Sequence, residues 1–167
     1  RIARIKTDII SCAKECELED IYATHAVLGS HGLLTEEDVA ELQRTLLKIV
    51  PLIRSETVIA GMFEMFGGVG ADEFYDNLAL KVVNIIPKLD INSRVSVLHV
   101  LSKRYASSFD DYIFLLKHIK NDVDKLTPLS KAMLITTLRS ANHEPEGFSL
   151  KQLETELFSD KTLTSLR

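Results

Sequence analysis

Residues 89–127 read LDINSRVSVLHVLSKRYASSFDDYIFLLKHIKNDVDKLT, and the pattern in this stretch decides the fold. Val95, Leu98 and Leu101, and then Ile113, Leu116, Ile119 and Val123, recur at steps of three and four residues. That spacing puts each set on one face of a helix, so the stretch reads as two amphipathic helices broken at Ser107-Ser108. Moving the frame by 37 residues finds the pattern again. Leu52, Leu89, Leu126 and Leu163 stand 37 residues apart, as do Leu42, Ala79, Leu116 and Leu153, and Ile21, Val58, Val95 and Ala132. Three apolar columns sharing one period mark a repeat architecture.

Cut at that period, the chain divides into units of about 17–53, 54–90, 91–127 and 128–164, each a helical hairpin. Segment 1–16 carries Ile5, Ile9 and Cys12, which lie 37 residues before Leu42, Leu46 and Ile49, and so reads as the second helix of a preceding partial unit. With no initiator Met, this half-unit leads us to expect a chain that begins after a processing site or is one piece of a longer solenoid. The breaks inside the other units fall at Gly29-Ser30-His31-Gly32, at Gly67-Gly68-Val69-Gly70 and at residues 142–147 around Pro145. Gly, Ser, Asn and Pro end helices because they supply positive φ, compete for backbone bonds or lack the N–H. Thr35 before Glu36-Glu37-Asp38 and Ser55 before Glu56 are helix-start signals. Pro128 suits a first helical turn, and Pro51 and Pro87 fall where second helices stop. Strict alternation, the mark of strands, is missing. The expectation is a single all-α domain over 1–167, an α-solenoid of helical hairpins with period 37.

The 167 residues are 46% apolar and 26% charged, enough to bury a core without disulfides or metal. No run approaches the roughly 18 apolar residues that a membrane span needs, so no membrane partner is expected. Lys and Arg number 20 against 24 Asp and Glu, a net charge of −4, so no global positive field draws nucleic acid. Two cysteines, Cys12 and Cys16, make no disulfide framework, and a reducing compartment is expected.

Searches for chemistry return structural readings. Cys12 and Cys16 lack the further ligands that structural zinc requires. His25, His31, His99, His118 and His143 form no metal-binding spacing, and His99 and His118 read as packing or surface residues. No nucleophile motif surrounds any serine. Gly67-Gly68-Val69-Gly70 lacks the strand before it and the Lys-Ser/Thr after it that a phosphate cradle uses, and reads as a helix-to-helix turn. Asp90-Ile91-Asn92 lacks the remaining ligands of a calcium loop. No catalytic residue, cofactor, metal or small-molecule substrate is expected.

Charge is distributed unevenly along the chain. The unit 17–53 holds seven acids and two bases, whereas 91–127 concentrates Arg94, Lys103, Arg104, Lys117, Lys120 and Lys125. In a hairpin solenoid, equivalent positions of successive units form rows. Arg94 and Lys131 share one such row, and Lys103-Arg104 matches the part of the next unit that bears Arg139. A row of Arg94, Lys103, Arg104, Lys131 and Arg139 would suit a single RNA strand, through phosphate pairing and base stacking.

The 37-residue helical hairpin, with its Leu-rich second helix and short Leu-Asp or Leu-Thr link, resembles the heptatricopeptide and FAST-kinase-type helical repeats of organellar RNA-metabolism proteins. The resemblance is clearest over 89–127. It implies a mitochondrial matrix protein in an RNA-processing or ribosomal assembly, where such repeats brace other subunits or bind RNA. The chain has no Trp, and with it lacks the Trp and Gly-Tyr signature of tetratricopeptide repeats. The expected role is a non-catalytic scaffold acting on other protein subunits, with single-stranded RNA binding as the alternative.

Overall fold

A computed structural model describes residues 2–13, 17–105, 112, 114–140 and 149–159. Among the described residues the regular structure is all helical, with no strand. The α-helices are α1 (Ile2–Ala13), α2 (Leu18–Ser30), α3 (Glu36–Leu47), α4 (Glu56–Phe66), α5 (Asp72–Ile85), α6 (Ile91–Arg104), α7 (Pro128–Ser140) and α8 (Leu150–Ser159). The breaks expected at Ser107-Ser108 and at 142–147, and the residues Ile113, Cys16 and Leu163, lie outside the described residues.

The starts of α3, α4, α6 and α7 each have a local chemical cause. At α3, Thr35 Oγ1 accepts the Asp38 N–H at 3.2 Å while the Asp38 carboxylate accepts the Thr35 N–H at 2.8 Å, a reciprocal pair that satisfies two orphan donors. Ser55 caps α4 through the Val58 N–H, and Asp90 Oδ1 caps α6 through the N–H groups of Asn92 and Ser93. Pro128 opens α7, with Thr127 Oγ1 accepting the Ser130 N–H. α4 ends on Gly67 at φ 56°, a left-handed conformation that glycine adopts without a Cβ penalty.

The chain forms two compact units, Arg1–Val82 and Val83–Arg167. In the first, α1 packs on α2 and α3, and α2 packs on α3 and α4. Its core holds Ile21, Leu42, Leu46, Met62, Phe63, Phe74, Tyr75 and Leu78, all fully buried. Aromatic edges lock it: Phe66 meets Phe74 at 5.2 Å, and Phe74 meets Tyr75 at 5.4 Å. Each such side chain contributes about 1.5–3 kcal/mol by leaving water. In the second unit α6 lies along α7, and α7 pairs with α8. Val95, Leu98, Leu101, Leu134 and Leu138 on α6 and α7 are buried, as are Leu115, Leu116 and Ile119.

Two sequence expectations are corrected by the coordinates. The second element of 91–127 is not an α-helix: residues 114–118 and Lys120–Lys125 are 3-10 helical. The bonds there run from i to i+3, from Ile119 N to Leu116 O and from Asp122 N to Ile119 O, each at 3.0 Å. An α-turn would place the Asp122 N–H on the His118 carbonyl, but Arg94 Nη1 holds that oxygen at 2.6 Å.

The second correction concerns register. First helices begin at Leu18, Glu56, Ile91 and Pro128, so the spacing is 38, 35 and 37 residues rather than a uniform 37. Over 52–79 the apolar columns therefore lose register. Leu52 is 76% exposed although Leu89 and Leu126 are buried; Ile59 rather than Val58, and Leu78 rather than Ala79, fill the core. Caps, not residue counts, fix where each helix begins.

Candidate functional site

The five basic residues singled out in the sequence all lie in the second unit, and three of them are engaged within it. Arg94, in the first turn of α6, directs its guanidinium inward. Nε donates to Leu89 O at 2.8 Å, Nη2 to Pro87 O at 3.0 Å and Nη1 to His118 O, with the Asp122 carboxylate 4.0 Å from Nη1. Lys131 holds the equivalent position on α7, and its Nζ lies 3.1 Å from Glu156 on α8. Arg139 pairs with Glu154, also on α8. Lys103 is exposed in the last turn of α6, next to the half-buried Arg104, where cations complement the helix dipole. Three of the five cations thus tie elements of the unit together.

The first unit uses a related device. Lys81 Nζ donates to Pro51 O and Ile53 O, each at 2.9 Å, over the end of the 3-10 turn Val50–Leu52. Arg94 does the same for the turn Ile86–Lys88, whose terminal carbonyls have no partner within the turn. Pro51 and Pro87 sit inside these 3-10 turns.

The glycine loop after α4 is held from within. Gln43 is fully buried, and its amide clamps the loop, Nε2 donating to Val69 O and Oε1 accepting the Ala71 N–H, both at 2.7 Å. The Tyr75 hydroxyl donates to Val69 O and accepts the Gly68 N–H. Gly70 stands at φ 102°, and a Cβ there would overlap the Gln43 amide. The backbone N–H groups at Gly68 and Ala71 that a phosphate cradle would aim outward are directed onto side chains. Sequence reading missed Gln43, for which the one signal is a polar residue between Leu42 and Leu46 in an otherwise apolar register.

Two of the described histidines, His25 and His99, serve packing, and His143 lies outside the described residues. His25 sets its ring edge on Phe66 at 4.8 Å, and burial holds its pKa below the usual imidazole range. His99 Nδ1 lies 2.9 Å from Thr137 Oγ1 across the α6–α7 seam, and burial, then the Lys103 charge, lowers its pKa too. A cleft of about 250 Å³ opens between the Lys120–Lys125 turn and α8, lined by Lys120, Val123, Asp124, Gln152, Leu153 and Glu156 among others. Hydrogen bonds from Gln152 and Lys131 hold the Glu156 carboxyl below its usual range. Large apolar side chains stay on the surface of both units, Leu52 and Leu80 in the first and Leu129 and Phe158 in the second.

Among the described residues no three His, Cys, Asp or Glu side chains converge to hold a metal ion, and no helix is long and apolar enough to cross a membrane. Comparison with family models, with curated proteins and with solved structures finds no match for this chain.

Proposed function

We propose that the chain is a non-catalytic helical-repeat scaffold, a short α-solenoid of hairpins with a period near 37 residues, that holds other protein subunits in a larger assembly. The repeat resemblance sets that assembly in mitochondrial RNA processing or the mitochondrial ribosome. One observation carries the reading: Arg94 and Lys131 are turned onto carbonyls or a carboxylate of their own unit, while Leu52, Leu80, Leu129 and Phe158 face water. Phosphate contacts supply most of the affinity of nucleic-acid binders and need cations that reach outward. Apolar side chains on helix surfaces are the material from which protein interfaces take their buried centre.

The test is affinity purification of the tagged chain from mitochondria, with and without nuclease. The scaffold reading expects the same proteins to be retained in both. Loss of those proteins on nuclease treatment, together with weaker RNA retention by the Lys103→Glu, Arg104→Glu variant, supports the RNA-binding alternative instead.

A further inference from the structure

Among the described residues of its column, Leu52 alone is bare: it is 76% exposed, whereas Leu89 and Leu126 are 5% and 6% exposed. The turn that carries it is fixed from both sides. Lys81 Nζ, on α5, donates to the carbonyls of Pro51 and Ile53, the residues that flank Leu52, each at 2.9 Å. The Leu52 N–H donates to Ile49 O at 2.8 Å, and the Pro51 ring locks the φ before it. The leucine therefore stands on a backbone that is already ordered, so a partner that covers it has little loop entropy to remove.

The surroundings of this leucine are cationic. Between Leu42 and Ser55 the chain carries Arg44, Lys48 and Arg54 and no acid, in contrast to the acid-rich start of the same unit. Lys48 and Ile49 keep right-handed helical backbone, so the path of α3 runs on into the turn. Arg44, Lys48 and Leu52, spaced by four, follow one side of that path. All three cations are exposed, and among the described residues no hydrogen bond or ion pair holds their side chains. The flanking acids Glu41 and Glu56 are half-buried and have interactions of their own. The dipole at the end of α3 accounts for Arg44 and Lys48, but neither for Arg54 nor for a leucine held bare beside them.

We propose that Leu52 anchors a docking site for an acidic amphipathic helix of a protein partner. The apolar face of that helix receives the leucine, and its flanking Asp or Glu side chains meet Arg44, Lys48 and Arg54. The inference rests on the scaffold reading above and names the class of partner. Charge complementarity selects an acidic segment. A central leucine selects protein over nucleic acid, since residues 42–55 offer no aromatic ring on which a base could stack.

The probe is a labelled synthetic peptide of about four helical turns, with leucines at i, i+3, i+4 and i+7 and glutamates on either side, titrated against the intact chain by fluorescence anisotropy. Its controls are a scrambled peptide of the same composition and one with lysine for each glutamate. The chain as a whole carries −4, so its net field favours the lysine peptide, and a local cationic site is needed to reverse the order. The glutamate peptide is expected to bind about tenfold tighter than both controls, and Leu52→Ala to weaken it about tenfold. The Lys48→Glu, Arg54→Glu variant is expected to make the lysine peptide the tighter of the two, with an unchanged far-UV circular dichroism spectrum. Val27→Ala, at another exposed apolar residue of the first unit, is expected to leave binding unchanged.

Equal binding of the three peptides, undiminished binding to Leu52→Ala, or an equal loss in Val27→Ala overturns the proposal. Tighter binding of a single-stranded RNA oligomer that Lys48→Glu, Arg54→Glu abolishes overturns it too, since the occupant is then a nucleic acid. So does sedimentation showing that the chain self-associates and that Leu52→Ala makes it monomeric, since the occupant is then a second copy. If wild type and Leu52→Ala retain the same nuclease-resistant proteins, the scaffold reading stands and this turn is not its docking site. If wild type retains none after nuclease, the scaffold reading itself fails.

Discussion

The Arg94 guanidinium donates to the His118 carbonyl across 24 residues of chain and holds the oxygen that an α-turn would have used. The same side chain satisfies the carbonyls of Pro87 and Leu89, so one residue joins the start of α6 to both flanking 3-10 segments.

Removing that side chain orphans part-buried acceptors. Arg94→Ala is expected to lower unfolding stability by about 2–3 kcal/mol in urea denaturation. Lysine cannot supply the planar fork, so Arg94→Lys is expected to recover less than half of the loss. A loss under about 0.5 kcal/mol in Arg94→Ala, the level of an ordinary surface substitution, would show that these bonds exchange freely with water.

Gln43 and Gly70 form a pair whose energies are not additive. Gly70→Ala sets a Cβ into the Gln43 amide at a positive φ, and is expected to cost about 3 kcal/mol. In a Gln43→Ala background the clash is gone and the strain alone remains, so the same change is expected to cost about 1–2 kcal/mol. Equal penalties in the two backgrounds, measured by a double-mutant cycle, would contradict the close approach.

Stability is expected to fall at both ends of the pH range. His25, His99 and His118 are all held below the ordinary imidazole value, chiefly by burial. The unfolded chain protonates first, so their contribution is present above about pH 6.5 and is lost as pH falls through the folded values. Tyr22 works in the opposite sense. Burial, and then the Glu19 charge, push its hydroxyl up to about 12, so its contribution is whole below pH 10.0 and disappears between there and about 12. Denaturation midpoints should form a plateau from about pH 7 to 9.5, and His99→Gln should soften the acid slope. A midpoint that stays constant down to pH ~5.5 would contradict the histidine assignment.

Asp90 begins α6, and a hydrogen bond from the Ser93 side chain, then those from the Ser93 and Asn92 N–H groups, hold its carboxyl below the usual range. Asp90→Ala is expected to cost about 1 kcal/mol, with Asp90→Ser recovering most of it. The carboxylate's contribution is present above about pH 4 and is lost as pH falls through the lower folded value. Thermal unfolding of the two variants at neutral pH distinguishes a cap from a mere surface charge, which serine would not restore.

What the sequence discloses of this fold is what neighbouring residues determine. Thr35 and Ser55 announce α3 and α4 because a cap acts over three residues. The Gly67 turn is visible because glycine's freedom at positive φ is a property of the letter itself. The 3-10 character of 114–118 and 120–125 cannot be told from α in the sequence, because Ile113, Leu116 and Ile119 step by threes, which fits three residues per turn as well as 3.6. Arg94 read as a candidate phosphate ligand because its true partners, the carbonyls of Pro87, Leu89 and His118, are backbone atoms that every residue has. The Leu52 column misleads because counting by 37 cannot see helix starts spaced by 38 and then 35 residues.

That variation in the joints bears on how such a chain changes over generations. Ser55, Asp90 and Thr127 each start a helix from beside it, so the start signal travels with the helix and owes nothing to the distance already covered. A residue gained or lost ahead of such a cap is absorbed where it falls, and the next apolar face stays in place.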